Sequence, residues 1–384
     1  MRPDDFSSQQ SQHLKKTITG SWAFVPPNLP PQIDYGQIAL NLAAATGAIG
    51  ELKGATRRLP NPYMLVMPLI RREALTSSAI EGTITTINNM LLEQLVPNAG
   101  GDDNAREAFN YVRALRGAED ALKELPISHR VIKQAHKTLL SGLSPARGAG
   151  KRPGEYKSDQ NAIGKQGDNE NTARYVPPPP QETVICMDEL ERFINRENRK
   201  PGEELVDIAL AHYQFEAIHP FNDGNGRIGR MLVTLMAQQL LFSSEPLLHI
   251  SANIENKKDE YIESLFAVST HGDWTRWLNF FFEVVKESCL SATNVVDKII
   301  NLQKDLRQQA VQKNGNHRLA AIVDSLFTKE WITIIEAAKL CGVTYPTAQS
   351  DLDELATLEI VRRVQNTRPA IFIAPAIWNL GGRG

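Results

Sequence analysis

Apolar positions recur along most of the chain at three- and four-residue spacings, and this predicts a mainly helical protein. The spacing and the run of alanines fit a helix from Tyr35 to about Leu52. A break follows at Pro60 to Pro62, and helical patterns continue through about Leu95. The polar, glycine-containing stretch NAGGDDN at 98–104 reads as a loop. Helices are expected from Ala105 to Leu122 and from Ser128 to about Leu140. Periodicity returns at Thr183 to Asn195, Glu203 to Ile218, Ile228 to Leu241 and Lys257 to Val268, and Trp274 to Ala310 is expected to hold two more helices.

Other stretches break the rule. Residues 1 to about 34 read as an extended arm, because the cluster PPNLPP at 26–31 fixes φ and removes backbone donors. Residues 144 to 180 are rich in glycine, proline and polar side chains, and so long a connection is usually functional or disordered. Its middle suits a hairpin, with Tyr156 to Ile163 and Thr172 to Val176 as arms around GKQGDNEN. From 316 to 375 the order is helix (332–343), a turn at Gly342, helix (344–361), then VRRV and PAIFIA as a two-stranded wing. That order resembles a winged helix-turn-helix domain.

Composition narrows the class without naming a function. A formal net charge of -2 gives the surface as a whole no electrostatic case for nucleic acid or a membrane. Cys186, Cys289 and Cys341 are too far apart for a zinc site or a disulfide framework, and read as free thiols of a reducing cytosol. The N-terminus lacks the apolar core of a signal peptide, so a cytoplasmic location is expected. No apolar run approaches the roughly 20 residues that span a bilayer.

The chemistry concentrates in HYQFEAIHPFNDGNGRIGR, residues 212–230. Pro220 disfavours helix at His219, so a helix should stop there and a tight loop should lead into the next one. A glycine-rich turn opening a helix presents backbone N–H groups and the positive end of the dipole, which is an anion site suited to phosphate. Arg227 and Arg230 are cations at that unfavourable end, and make sense if phosphate oxygens or a carboxylate compensate them. Asp223 offers a hard oxygen for magnesium beside the phosphates. His219 is the nearby group that titrates near neutrality and can accept a proton from an attacking hydroxyl. His212, on the same helix, reads as a packed or capping histidine.

These residues resemble the signature of the Fic family, H-P-F-x-[D/E]-G-N-G-R-x-x-R, with every position filled from His219 through Arg230. The resemblance implies a Fic-type helical core with a β-hairpin flap, and transfer of AMP from ATP to a Ser, Thr or Tyr hydroxyl of a protein with pyrophosphate leaving. It makes His219 the general base and Asp223 the Mg²⁺ ligand, with Gly224, Asn225, Gly226 and Arg227 cradling the phosphates. GEYKSDQNAIG (154–164) and YVPPPP (175–180) resemble the flap that registers the target's backbone by strand addition. The stretch Asn161, Ala162, Ile163, Gly164 would then lie near the nucleotide, with Arg230 on the phosphates. KKDEYIESL (257–265) resembles the adenine-side segment, where Tyr261 is present and Ile262 replaces a second aromatic residue.

Upstream, Ser77-Ser78-Ala79-Ile80-Glu81-Gly82 fits the family's inhibitory motif [S/T]-x-x-x-E-[G/N], in which Ser77, Glu81 and Gly82 are the regulatory positions. Ser77 and Glu81 also make a plain i,i+4 pair on an exposed helix. Arg230 needs an anion when nucleotide is absent, and Glu81 is expected to supply it. The expected domains are 1–100 (an N-terminal Fic-associated region with the inhibitory helix), 101–300 (the catalytic core) and 316–384 (winged-helix-like). The opening of the second winged helix, Tyr345 to Ser350, lacks arginine and lysine, while Arg362, Arg363 and Arg368 are placed to touch phosphates. DNA, a protein partner and a homodimer all stay open for that domain. The expected target is a protein, with self-modification first in line. The competing readings are a Fic-fold phosphotransferase, an AMP-removing enzyme, and a nucleotide-sensing winged-helix regulator that binds DNA.

Overall fold

The computed structural model describes residues 1–95, 102–165, 167–242, 245–312, 316–329, 331–365 and 367–381. The loop expected at 98–104 lies outside the described residues as far as Gly101, as does Gln166 in the turn of the expected hairpin. The chain forms two compact units, each assembled from separated segments. The first comprises Met1–Ile49, Glu73–Thr85 and Asp102–Ser288, and the second Gly50–Arg72, Thr86–Gly101 and Cys289–Gly384.

The first unit is built around the helix Glu204–Ile218, whose side chains from Leu205 to Phe215 are all buried. A helix buried on every side belongs in a core, and its neighbours supply the cover. Trp277, fully buried, donates its indole N–H to the Ala209 carbonyl at 3.0 Å, and the Tyr213 hydroxyl meets Ser269 at 2.9 Å. The helix Asn225–Ala237 packs on the same core, and the pair Asp103–Ala121 and His129–Leu139 lies beside it. Asp102 caps its helix by accepting the Asn104 N–H, and Pro180 opens the helix Pro180–Ile194, where its missing donor costs nothing.

Three expectations change, two within this unit and one in a helix that runs beyond it. The N-terminal arm is not simply extended. It holds a short helix, Ser8–Ser11, and a hairpin pairing Leu14–Lys16 with Trp22–Phe24, because Phe6 and Phe24 are buried against each other. The expected hairpin across 156–176 is reduced to one bridge, Ile163 with Tyr175. Its turn folds on its own side chains instead. Asp168 accepts the Lys165 N–H at 2.6 Å and Asn169 that of Asn171 at 2.9 Å, which takes donors a ladder would need. Finally, Trp274–Gln312 is one helix of 39 residues, with no glycine or proline to divide it. Among the described residues no helix is long and apolar enough to cross a membrane.

The second unit contains the helices Ile87–Leu95, His317–Leu326, Ile334–Cys341 and Tyr345–Thr357 and a three-stranded antiparallel sheet. Ile371–Ile373 is the central strand, between Trp331–Thr333 and Arg362–Arg363. The helix expected from 332 therefore starts at Ile334, behind a capping box of Thr333 and Glu336, and the expected wing gains a strand. Gly342 takes φ 64° between the two helices. Leu91, Val364, Ile373 and Trp378 form the core, and the Arg71 guanidinium lies 3.7 Å over the Trp378 ring. Cys186 and Cys289 are buried free thiols and Cys341 is half-buried.

Candidate active site around His219

The helix Glu204–Ile218 ends as Pro220 demands, with His219 in the left-handed region at φ 49°, ψ 61° and its N–H donated to Phe215 at 3.0 Å. The loop that follows is pinned from both sides. Asn225 accepts the Phe221 N–H through Oδ1 and donates Nδ2 to the Phe221 carbonyl, both at 2.8 Å. From the 154–164 segment, Asn161 Nδ2 donates to the carbonyls of His219 and Phe221, both at 3.0 Å. Lys157 completes the clamp. Its backbone N–H reaches the Pro220 carbonyl at 2.8 Å, and its ammonium donates to Asn161 Oδ1 at 2.7 Å and to the Ile218 carbonyl at 3.3 Å.

Burial pulls the Lys157 ammonium down to about 7. Burial, reinforced by the Lys157 charge, pushes the His219 imidazole down to about 3, so the ring is neutral at physiological pH. Its Nδ1 is shielded from solvent, and a hydrogen bond with the Glu216 backbone works against the downward shift. A neutral imidazole is equipped to take a proton.

Gly224, at φ 76°, turns the chain into the helix Asn225–Ala237. The expected start at Ile228 moves back by a turn, so the motif's glycines and Arg227 are the helix N-terminus itself. The first N–H groups of such a helix have no acceptor within it. Arg227 is ion-paired with Glu107 and, at 2.9 Å, with Asp223, and its Nε is buried without a partner. Arg230, 1% exposed, donates Nε to Ser77 Oγ and Nη2 to the Ser77 carbonyl, each at 2.9 Å, and Nη2 also to Glu81 Oε1 at 2.8 Å. Burial alone would raise the Glu81 carboxyl, but the Arg230 guanidinium outweighs it and holds the group below its ordinary value.

Ser77 and Glu81 reach Arg230 because of how the helix Tyr63–Ile80 stops. Gly82 adopts φ 86°, its N–H closes on Ala79 at 2.9 Å, and Lys258 caps the Ile80 carbonyl at 2.6 Å. Glu81 then stands against Gly226 in the first turn of the next helix. A Cβ at Gly226 would run into Glu81 Oε1 and lie 2.9 Å from Arg230 Nη1. A Cβ at Gly229 would run into Glu216 Oε1, a buried carboxyl that desolvation lifts to about 7.

Other predicted positions fall less centrally. Tyr261 is buried beside Arg230, with its ring against Trp277 and its hydroxyl 2.9 Å from His212 Nε2. His212 is the packed histidine the sequence suggested: its Nδ1 lies 3.1 Å from the Gly229 carbonyl, and burial pushes it to about 3. Ala162 packs on Ala23, Ala173 and Val176, Ile163 makes the bridge to Tyr175, and Gly164 is exposed over Asp168.

Sequence reasoning missed four groups, three of them buried. Glu107 accepts from Arg227, from Arg147 and, at 3.1 Å, from the Thr83 hydroxyl. Arg147 also donates to Thr83 Oγ1 at 2.7 Å. Lys157 and His136 are the others. His136 carried a visible signal, since it is a polar interruption of the apolar stripe that runs from Ile132 to Leu139.

The residues fit an anion and a cation bound together. Arg227 Nε is an orphaned buried donor facing no protein acceptor, which suits a phosphate oxygen. Asp223 is one carboxylate, 36% exposed, with Oδ1 taken by the Gly224 N–H at 2.6 Å and by Arg227. No cluster of three or more metal-ligating side chains occurs among the described residues. Magnesium held by one carboxylate and the substrate's phosphates needs no more.

Comparison with known proteins agrees with this geometry. Residues 39–120 match the family model described as Fic/DOC family N-terminal, and residues 126–237 the model described as Fic/DOC family. The chain belongs to the Fic/DOC family. A curated relative, "Protein adenylyltransferase Fic" of Drosophila yakuba, is 25% identical over 248 residues, covering 64% of this chain and 45% of the relative. The protein of the same name in Drosophila virilis is 28% identical over 164 residues, covering 42% and 31%. The chain thus spans less than half the length of these relatives. A Fic family protein from Desulfovibrio desulfuricans shares the fold, with TM-score 0.56 and 19% identity over 93% of this chain and 99% of that one. A Fic domain signalling protein from Bacteroides thetaiotaomicron does so with TM-score 0.52, 20% identity, and 67% and 97% coverage.

Proposed function

We propose that the protein transfers AMP from ATP to a hydroxyl of a protein and is held largely off by Glu81. The observation that carries this reading is the neutral imidazole of His219 beside a glycine-opened helix N-terminus and two buried arginines. His219 accepts the proton of the attacking hydroxyl. Arg227 and the first N–H groups of the helix take the phosphate oxygens, and pyrophosphate leaves. Asp223 would hold Mg²⁺, which neutralises phosphate charge when bound. The segment 154–164 offers backbone to the target, and the chain's own hydroxyls are the first targets to examine. The Glu81–Arg230 pair supports the inhibitory part: while it stands, Arg230 is unavailable to the γ-phosphate and the triphosphate binds in a pose unfit for in-line attack.

Both motif glycines, Gly224 and Gly226, are present, which favours AMP transfer over transfer of the terminal phosphate. The test is ATP labelled at the α- or the γ-phosphate, supplied to the Glu81→Gly variant. Label from the α-position alone should enter protein, and γ-label alone on the product would overturn the reading. The arrangement of helices and sheet in the second unit supports a winged-helix module. Arg362, Arg363 and Arg368 are exposed there, and a DNA shift assay over a salt series tests whether they meet phosphates.

A further inference from the structure

His136 is completely buried and takes no part in the chemistry described above, yet it joins two parts of the site. The Gly154 N–H donates to its Nδ1 at 2.9 Å, and its Nε2 lies 2.9 Å from the Asp223 carbonyl oxygen. The ring is stacked on Phe221, with centroids 3.8 Å apart and planes 7° from parallel. Gly154 has only a hydrogen to give and Asp223 only lone pairs to receive it. The ring is therefore neutral, with its proton on Nε2. Burial, which pulls this imidazole down to about 4, keeps it so at neutral pH.

Both attachments are to firmly held backbone. Gly154 sits at φ 83° close against the helix Leu139 ends, where an added Cβ would meet Lys137 Cβ at 3.1 Å and the Lys133 carbonyl at 3.2 Å. Asp223 is the last residue before the left-handed Gly224. Phe221, beneath the ring, is tied to Asn225 and Asn161. One imidazole thus spans the start of the 154–164 segment and the loop that leads into the phosphate-binding helix.

We propose that His136 is a positioning residue that holds the Asp223 loop in register with the base of the 154–164 segment, one ring nitrogen serving each. The proposal rests on the nucleotide-transfer reading and adds the residue that couples the nucleotide side of the site to the target side. Donating from Nε2 fixes the peptide that carries Asp223, and with it the carboxylate that would meet magnesium-ATP. Accepting at Nδ1 fixes where the target-facing segment begins.

The two ends separate by substitution. His136→Asn places an amide oxygen where Nδ1 stood, keeping the Gly154 bond and losing Asp223. His136→Gln places an amide N–H where Nε2 stood, keeping Asp223 and losing Gly154. His136→Phe keeps the stack on Phe221 and loses both bonds. Each is made in the Glu81→Gly chain and compared with that parent by calorimetric titration with a non-hydrolysable ATP analogue plus Mg²⁺, and by amide hydrogen exchange without ligand. One hydrogen bond's net worth corresponds to about a five- to tenfold change in affinity. The Asn and Phe variants should bind the analogue about five- to tenfold more weakly, with faster exchange across 221–225. The Gln variant should bind within about twofold of the parent, with faster exchange confined to 154–161. Equal losses in Asn and Gln, unchanged binding and exchange in Phe, or failure of all three variants to fold would each overturn the proposal. None of these readouts needs AMP transfer. A parent that exchanges normally but binds no analogue would count against the functional reading, and the exchange patterns would still decide the role of His136.

Discussion

Removing the Glu81 carboxylate by Glu81→Gly is the sharpest perturbation of this site. Glu81 Oε1 accepts one charge-assisted bond of 2.8 Å from Arg230, whose side chain is 1% exposed while that of Glu81 is 37% exposed. Breaking a fully buried ion pair costs about 3–5 kcal/mol. Glu81 is partly in water, so solvent screening brings the contact down to a hydrogen bond to a charged group, about 1.5–3 kcal/mol. If a triphosphate must displace that contact to reach Arg230, its removal should raise AMP transfer about 10- to 150-fold, at tenfold per 1.4 kcal/mol. The Ser77 bonds to Arg230 stay in place, so the guanidinium keeps its position and waits for the γ-phosphate. The assay is initial-rate incorporation of α-labelled AMP into protein by parent and variant at equal concentration. Glu81→Gln, which keeps the shape and loses the charge, should fall between them. A folded Glu81→Gly variant that transfers AMP at the parent rate would refute the reasoning, because the pair would then be an ordinary structural contact.

Other consequences are equally open to measurement. His219→Ala in the released background should lower transfer by about 10²- to 10⁴-fold while ATP binding, measured by titration, changes only a few-fold; a parallel loss of binding would remove the residue from the role of base. Because burial pushes His219 to about 3, its base form persists well below neutrality. The acid limb of kcat/KM in the released variant should therefore lie below about pH 5, and a midpoint near the ordinary histidine value of about 6.5 would contradict the burial argument. The same shift gives the sign for stability: its contribution is complete above the unfolded value and is lost as pH falls toward 3, since the unfolded chain binds that proton first. Gly229→Ala forces a methyl group against Glu216 and Phe215, and should destabilise the protein by about 1–3 kcal/mol, read as a lower urea midpoint at constant m-value.

How much of this was readable beforehand follows from where each interaction lies along the chain. The residues from His219 to Arg230 are local, and proline and glycine chemistry fixes their turn, so the sequence was enough to place an imidazole at the end of one helix beside the glycine-opened start of the next. Glu81 was reachable across a separation of 149 positions because Ser77 to Gly82 resembles the family's inhibitory motif, and a cation at a helix N-terminus supports it by demanding a counter-charge. The clamp of Lys157 and Asn161 under the loop could not be read this way. It is made by side chains meeting backbone carbonyls, which carry no residue signature, and the 144–180 stretch offers no periodicity from which to infer its path. Asn225 shows the limit of motif reasoning. Its side chain is spent on Phe221, so it shapes the loop, and the phosphate contact proposed for it would fall to its backbone. The long helix Trp274–Gln312 and the folded N-terminal arm escaped for a different reason, because tertiary burial overrode local composition.

The crowding at Gly226 has a consequence that is genetic. The room this residue leaves empty is filled by Glu81 and Arg230, and the same first turn would receive the phosphates. A side chain there would evict the restraint and obstruct the substrate in one stroke. A selection for hyperactive alleles should therefore return lesions at Glu81 or at Gly82, which aims it, and none in the glycine loop, while a selection for loss of activity should return both glycines. On the proposed reading, restraint and catalysis share one surface, but only one of them can be lost from the N-terminal side without losing the other.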